Sequence, residues 1–508
     1  SFERFSARLT VDTYVTNWLK AGGGFSYTHR VSIFPPDGQD EGLFSNNLFA
    51  FAKMFSTIYP VYALDADGNI KYDKDGNKMY DYGTGETDPA ICLGGRPVWA
   101  GYNPLTYMTK DKFQDVYDNI NANVYAEAKF LRDFTFKATF DMNNVQGKSM
   151  TFQNNEEGIG AQPSTNGYLY KSSSETLTLN ANQTLTWSRE FGKHHVDVLA
   201  GHEYYYAKSS ALGAGMINML IPGITEFSNF ITARGEPSSY TNAIALESYF
   251  GRAQYNYDNK YYVSASIRTD GTSKFRYDKW GTFWSVGASW RIAEENWMQD
   301  AAWVNELKVR ASVGTSGNQE VFSNYPYTDL WSVSNNNGKF AIAQSQTGNP
   351  NLTWESVFTI DAGIDFRLWN RFHGSIDYYR RDTNDLIFPV KQAASTGRSS
   401  RYENTGKLRN SGVEIDLNYD IFNTQKLYWS INFNGAHNRQ QIMELPDYLM
   451  EAAGGEGYIN GSYLWKIGKD QYNIYYGSGA GIDPETGSPT YRYPDPPRTP
   501  TRTPDSPT

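Results

Sequence analysis

Residues 65–81 read DADGNIKYDKDGNKMYD and twice give Asp-x-Asp-Gly-Asn: Asp65, Asp67 and Asn69, then Asp73, Asp75 and Asn77. Carboxylates and amides clustered on a turn can hold Ca²⁺ through oxygen ligands. The EF-hand spacing fails, because Gly follows the second Asp directly and no Glu closes the loop. Asp-Gly is also a strong hairpin signal. Two successive hairpins are therefore the reading preferred over a calcium site, and no other metal or cofactor is expected.

The remaining reactive residues are scattered. His194 and His195 are adjacent on a short turn, where successive side chains point oppositely, which disfavours a shared metal. A single cysteine, Cys92, excludes an intramolecular disulfide framework and a thiolate zinc cluster. Gly-Thr-Ser-Gly at 314–317 is not the Gly-x-Ser-x-Gly elbow of a nucleophilic serine. No catalytic constellation emerges, and no enzyme is expected. The better candidates are aromatic: Trp99, Tyr102, Tyr107 and Trp331 lie in long loops. Rings there can stack on a sugar or clasp a peptide, burying apolar area while a polar edge stays wet. The competing reading is that they pack the loops onto one another.

The elements that must position these loops are strands. In 5–12 the apolar set Phe5, Ala7, Leu9, Val11 alternates with Ser6, Arg8, Thr10, Asp12. The same period of two recurs throughout, with no sustained helical period. About fourteen strands result, near 2–15, 19–30, 118–130, 134–145, 173–191, 194–206, 243–257, 260–269, 281–292, 306–315, 355–367, 372–381, 410–419 and 427–437. Short turns near Asn17, Arg132, Lys193, Asn259, Asn370 and Thr424 alternate with long excursions at 31–117, 146–172, 207–242, 316–354 and 382–409. Tight turns at one end of a sheet and large loops at the other are the pattern of an outer-membrane barrel with periplasmic turns and extracellular loops. All 21 prolines fall in the long loops or after 438, as a continuous sheet requires. Trp18, Trp187, Trp297, Trp303, Trp369 and Trp429 sit close to short turns, where an interfacial aromatic girdle belongs.

Composition agrees. Of 508 residues, 16% are aromatic and 45 are Gly, yet mean hydropathy is only −0.60. Barrel strands hide their apolar face from any averaging window. Net charge is −9, which argues against nucleic acid as a partner. On this fold Arg8, Lys129, Arg268, Lys308 and Arg310 would face the lumen, where internal salt-bridge ladders are preferred to substrate contact for any one of them. The competing fold, a soluble or surface-attached β protein that binds or cleaves glycans, does not account for tight turns at only one end.

Several stretches carry a resemblance. Residues 262–298 (YVSASIRTDGTSKFRYDKWGTFWSVGASWRIAEENWM), 307–320 (LKVRASVGTSGNQE), 348–387 (GNPNLTWESVFTIDAGIDFRLWNRFHGSIDYYRRDTNDLI) and 403–419 (ENTGKLRNSGVEIDLNY) are similar to SusC/RagA-type TonB-dependent outer-membrane transporters of Bacteroidota. RFSARLTVDTYVTNWLKAGGGFSYT at 4–28 and AGIDPETGSPTY at 480–491 extend the match. The resemblance implies an all-β fold: a transmembrane antiparallel β-barrel of 22 strands, of which residues 1–493 supply a middle arc. The plug and first strands would precede residue 1 and the closing strands would follow. The tail 494–508, with six prolines, departs from that pattern and reads as disordered. The implied activity is import of oligosaccharides or oligopeptides at the outer membrane, with the TonB complex and a SusD-like lipoprotein as partners.

Overall fold

The computed structural model describes residues 1–33, 53, 58–91, 95–96, 100–101, 103, 105, 110–156, 159–321, 323–337, 339–392, 395, 397–398, 400–446, 449–450, 457–475 and 478–492. Fourteen long strands follow one another in a single sheet in chain order. They are β1 (Phe2–Tyr14), β2 (Leu19–Ile33), β3 (Lys112–Phe130), β4 (Phe134–Gln153), β5 (Tyr168–Phe191), β6 (His194–Met219) and β7 (Ser238–Tyr257). The remaining seven are β8 (Tyr261–Thr272), β9 (Trp280–Arg291), β10 (Val304–Asn318), β11 (Glu355–Leu368), β12 (Phe372–Asn384), β13 (Lys407–Asn423) and β14 (Tyr428–Glu444). No described helix is long and apolar enough to cross a membrane.

Each expected strand is present, and none of the fourteen contains a proline. The boundaries differ in one direction. At the turn end all but one agree within about two residues, the exception being β13, which runs to 423 rather than 419. At the loop end β3 begins at 112 rather than 118, β4 runs to 153 rather than 145, and β6 to 219 rather than 206. The loops at 146–172 and 207–242 are correspondingly shorter. These extensions carry polar residues on both faces, so the alternation that marks a strand against lipid fades while the hydrogen-bonded ladder continues. The tight turns are hairpins with paired positive φ at Leu131 and Arg132, Asp258 and Asn259, and Trp369 and Asn370. That geometry matches the twist of the flanking strands.

The chain divides into two compact units. The first comprises Ser1–Ala126, Ala138–Ala181 and Tyr205–Ala243. Its strand extensions enclose a small core of Phe152, Leu169, Met219 and Phe230. Asn229 ties the adjoining loop, donating to the carbonyls of Ile221 (2.8 Å) and Ile224 (3.1 Å). The DADGN repeats form the expected ladder of hairpins, bridged at Tyr62–Tyr80, Leu64–Ile70 and Tyr72–Lys78. Gly68 and Gly76 take the positive φ of these turns (83° and 82°).

The second unit comprises Glu127–Lys137, Asn182–Tyr204 and Ile244–Thr508. Its register places side chains in rows across β8–β14. One row runs Tyr261, Trp290, Val309, Ile364, Ile376, Ile415, Gly435, and the next runs Val263, Ala288, Ala311, Ala362, Tyr378, Val413, His437. Many of these apolar side chains are exposed: Ile364 by 43%, Ile376 by 43% and Tyr378 by 48%. A continuous apolar face that is open and backed by a polar one is built for lipid. At its turn edge rings pair up: Tyr261 with Trp290 at 6.2 Å, Trp303 with Trp369 at 5.4 Å and Phe422 with Trp429 at 6.1 Å between centroids. These are girdle positions.

The apolar band crosses the rows obliquely. One row begins with Ala265, Val286, Val313 and Ile360 and ends with Arg380, Ser411 and Arg439. Strands tilted in a barrel require this, since a row perpendicular to tilted strands leaves the membrane partway along.

Candidate functional site

Two concave regions of the second unit carry polar side chains. The first lies in the loops after β10 and β12. Hairpin Leu330–Asn336/Lys339–Gln346 and hairpin Ile387–Lys391/Ser400–Asn404 are joined by a parallel bridge between Thr347 and Arg401. Side-chain amides brace the junction. Gln346 Nε2 donates to the carbonyls of Tyr325 (2.7 Å) and Thr328 (3.0 Å), and Asn349 Nδ2 to that of Tyr402 (2.8 Å). Asn404 Nδ2 donates to Thr353 O (2.9 Å) and receives the Thr353 N–H on Oδ1 (2.9 Å). Leu352 and Pro326 are fully buried beneath. Gly348 is required there, because a Cβ would meet the Thr328 backbone at 2.3 Å.

Between these hairpins is a cleft of about 450 Å³, lined by Ser323, Gln344, Ser345, Arg398, Ser400 and Tyr402 among others. Hydroxyl and amide groups dominate, with one guanidinium and one phenol. Burial pushes the Tyr402 phenol pKa up, so the ring stays neutral at physiological pH. Trp331, 61% exposed, lies directly opposite Gln344 in the hairpin register. Directly opposed residues project to the same face of a pair, which sets Trp331 beside Gln344 on its hairpin; Trp331 itself is not among the residues that line the cleft. Trp99, Tyr102 and Tyr107 lie outside the described residues. Gln344, Ser345, Arg398, Ser400 and Tyr402 escaped the sequence reading because isolated polar loop residues have no periodicity. Only Tyr402, an aromatic in a long loop, belonged to a class already singled out.

The second region is on the polar face of β6–β11, a groove of about 420 Å³ lined by His195, Asp197, Ser264, Lys308, Arg310 and Asp361 among others. Here the charged residues are consumed by one another. Arg310 contacts Asp377 (2.5 Å), Asp365 (3.3 Å) and Asp361 (3.4 Å), while Lys308 reaches Asp365 (3.6 Å). Gly363 makes room for this cluster, since a Cβ there would lie 2.1 Å from Asp377 Oδ1. Arg268 is shared between Asp270 (2.7 Å) and Glu203 (2.9 Å). His195 pairs with Asp197 at 2.6 Å, whereas His194 bonds Tyr255 (2.7 Å), so the two histidines part company as adjacent strand residues must.

The acidic repeats in the first unit are occupied by their own backbone. Asp65 Oδ1 accepts the N–H groups of Asn69 (2.8 Å) and Asp67 (3.0 Å), and Asp73 Oδ1 those of Asn77 (2.8 Å) and Asp75 (2.9 Å). The Asn69 and Asn77 amides hold both carboxyl pKa values below the usual range. Among the described residues no group of three His, Cys, Asp or Glu is placed to hold a metal ion.

Residues 61–505 match a family described as TonB dependent receptor-like, beta-barrel. TonB-dependent receptor P3 of Formosa agariphila is 28% identical over 466 residues, covering 88% of this chain and 43% of that protein. TonB-dependent receptor SusC of Bacteroides thetaiotaomicron is 28% identical over 355 residues, or 65% of this chain and 34% of that protein. The chain thus spans less than half the length of these curated relatives. The structure of the RagAB peptide transporter superposes with a TM-score of 0.76 at 23% identity, over 96% of this chain and 52% of that one.

Proposed function

This chain belongs to the TonB-dependent receptor-like β-barrel family of the outer membrane, and from that premise we propose that it serves active import of neutral oligosaccharides. The supporting observation is the contrast between the two polar regions. The loop cleft offers hydroxyls, amides and the Tyr402 ring, and the exposed Trp331 stands opposite the cleft residue Gln344 in its hairpin. That mixture suits sugars, which present an apolar ring face and a hydroxyl rim. On the polar face of the strands charge is already paired, which leaves a water-accessible wall without a strong single-sign trap for a passing ligand.

Uptake in this reading needs no covalent chemistry. Ligand binds at the loops, a SusD-like lipoprotein closes over them, and the TonB complex supplies work from the inner membrane. Oligopeptides are the competing cargo, since a protein of this fold, RagAB, is a peptide transporter. Calcium at Asp65–Asn77 remains a subsidiary proposal: ligation would have to displace the backbone donors on Asp65 and Asp73, so calcium titration should leave the loop unchanged below millimolar concentrations.

Calorimetry on the whole receptor with neutral oligosaccharides and with peptides of matched length tests the cargo. We expect sugar binding that weakens about tenfold on Tyr402→Ala, the loss of one stacked ring, roughly 1.4 kcal/mol. Binding of peptides alone would overturn the sugar assignment. Uptake that persists after deletion of TonB would overturn active import.

A further inference from the structure

The apolar face of β12–β14 ends abruptly at its loop side. Phe372, Gly374, Ile376 and Tyr378 share one face of β12, and the next two positions on that face are Arg380 and Asp382. In register beside them stand Ser411 and Arg409 on β13, and Arg439 and Gln441 on β14. Asp382 accepts from Arg409 Nε (2.6 Å) and from Arg380 Nη2 (2.7 Å), so one carboxylate is divided between two guanidiniums. Arg439 is exposed and has no ion pair among the described residues. Three guanidiniums less one carboxylate leave a local charge of +2, on a chain whose net charge is −9.

Position decides what this charge meets. These side chains share the face of Ile376, Tyr378 and Val413, so they look outward and not into the path of cargo. They lie on the loop side, immediately beyond the last apolar row, at the height of the outer-leaflet headgroups. Arg380 and Arg439 are separated by one strand, about 10 Å at the usual interstrand spacing, wide enough to flank one headgroup. Guanidiniums bind phosphate through paired N–H donors. We propose that Arg380, Arg409 and Arg439 bind the phosphate of a phosphorylated glycolipid of the outer leaflet, with Tyr378, Val413 and Ile376 below them against its acyl chains. Asp382 positions Arg380 and Arg409 so that both forks face outward.

The test uses the whole receptor, folded in outer membranes and extracted in mild detergent, with retained glycolipid counted by native mass spectrometry. Arg381→Gln is the control, since Arg381 is the next residue on the opposite face. We expect Arg409→Gln with Arg439→Gln to lower retention about fivefold or more, the loss of a charge-assisted contact of roughly 1 kcal/mol, and Arg381→Gln to leave it unchanged. Enzymatic removal of the lipid phosphate should reproduce the loss, and excess inorganic phosphate should not compete. Equal retention in the double variant, equal binding of dephosphorylated lipid, competition by free phosphate, or loss of an associated protein in place of lipid would each overturn the assignment. Heat-modifiable gel migration verifies that the variant is folded. If the double variant fails to fold, Arg439→Gln alone is read, with about a twofold loss expected and no loss overturning the proposal.

Discussion

Ile364 and Asp365 are neighbours on β11, as Ile376 and Asp377 are on β12, yet they answer to different solvents. Ile364 and Ile376 pair across the strands on the open apolar face. Asp365 and Asp377 converge on Arg310 at the opposite face. Neither face is a conventional core. Apolar side chains are exposed because lipid is their solvent, and charged ones are half-buried because they neutralise one another. Stability in such a sheet comes from assigning each residue to the right face, which a shift of one residue in register would reverse for a whole strand.

The most direct way to break this comparison is to put a charge on the lipid side. Ile376→Arg places a guanidinium in the middle of the apolar band, where barrel proteins lose about 2–4 kcal/mol. Urea titration of the receptor folded in vesicles, followed by heat-modifiable migration, should register that loss. A change below about 0.5 kcal/mol would mean that the face meets water.

Removing charge from the other face should cost less. Arg310→Gln leaves Asp361, Asp365 and Asp377 with, among the described residues, one remaining ion pair, that of Lys308 with Asp365. Arg310, Asp361 and Asp365 are about a third exposed and Asp377 17%, so water screens the repulsion and the expected loss is about 1–2 kcal/mol rather than the larger figure for a fully buried pair. Repeating the titration at 1 M salt, where the screening length falls to about 3 Å, should recover much of it. An unchanged deficit would assign the loss to packing around Gly363 instead.

The same asymmetry explains what could be read from the sequence. Every long strand was legible between turn and bilayer edge, because lipid on one side and water on the other impose the period of two. Beyond that edge the code stops. Lys112–Tyr117 of β3 and Ala207–Met219 of β6 are strand, yet nothing there separates an apolar face from a polar one. The cleft was less legible still. Trp331 stood out as a loop aromatic, but the residues that line the cleft did not: Gln344 and Tyr402 lie 58 residues apart and meet through the bracing by Asn349, Asn404 and Gln346. Nothing in a one-dimensional pattern encodes such a meeting.

The smallest effect sharpens the comparison by locating its edge. Tyr378 follows Ile376 on the same face, one row nearer the loops, and Arg380 comes next. Cost on the lipid face depends on depth and falls to about 0–1 kcal/mol near the interface. Tyr378→Arg should therefore cost far less than Ile376→Arg, because its guanidinium can snorkel to the headgroup layer already occupied by Arg380 and Arg409. The same titration in vesicles of longer-chain lipid thickens the bilayer past this row, and the cost of Tyr378→Arg should then rise while that of Ile376→Arg barely moves. Equal costs for the two variants in thin bilayers would place the boundary above Arg380. The oblique change along the row from Ile360 to Arg380 and Arg439 would then need a cause other than strand tilt.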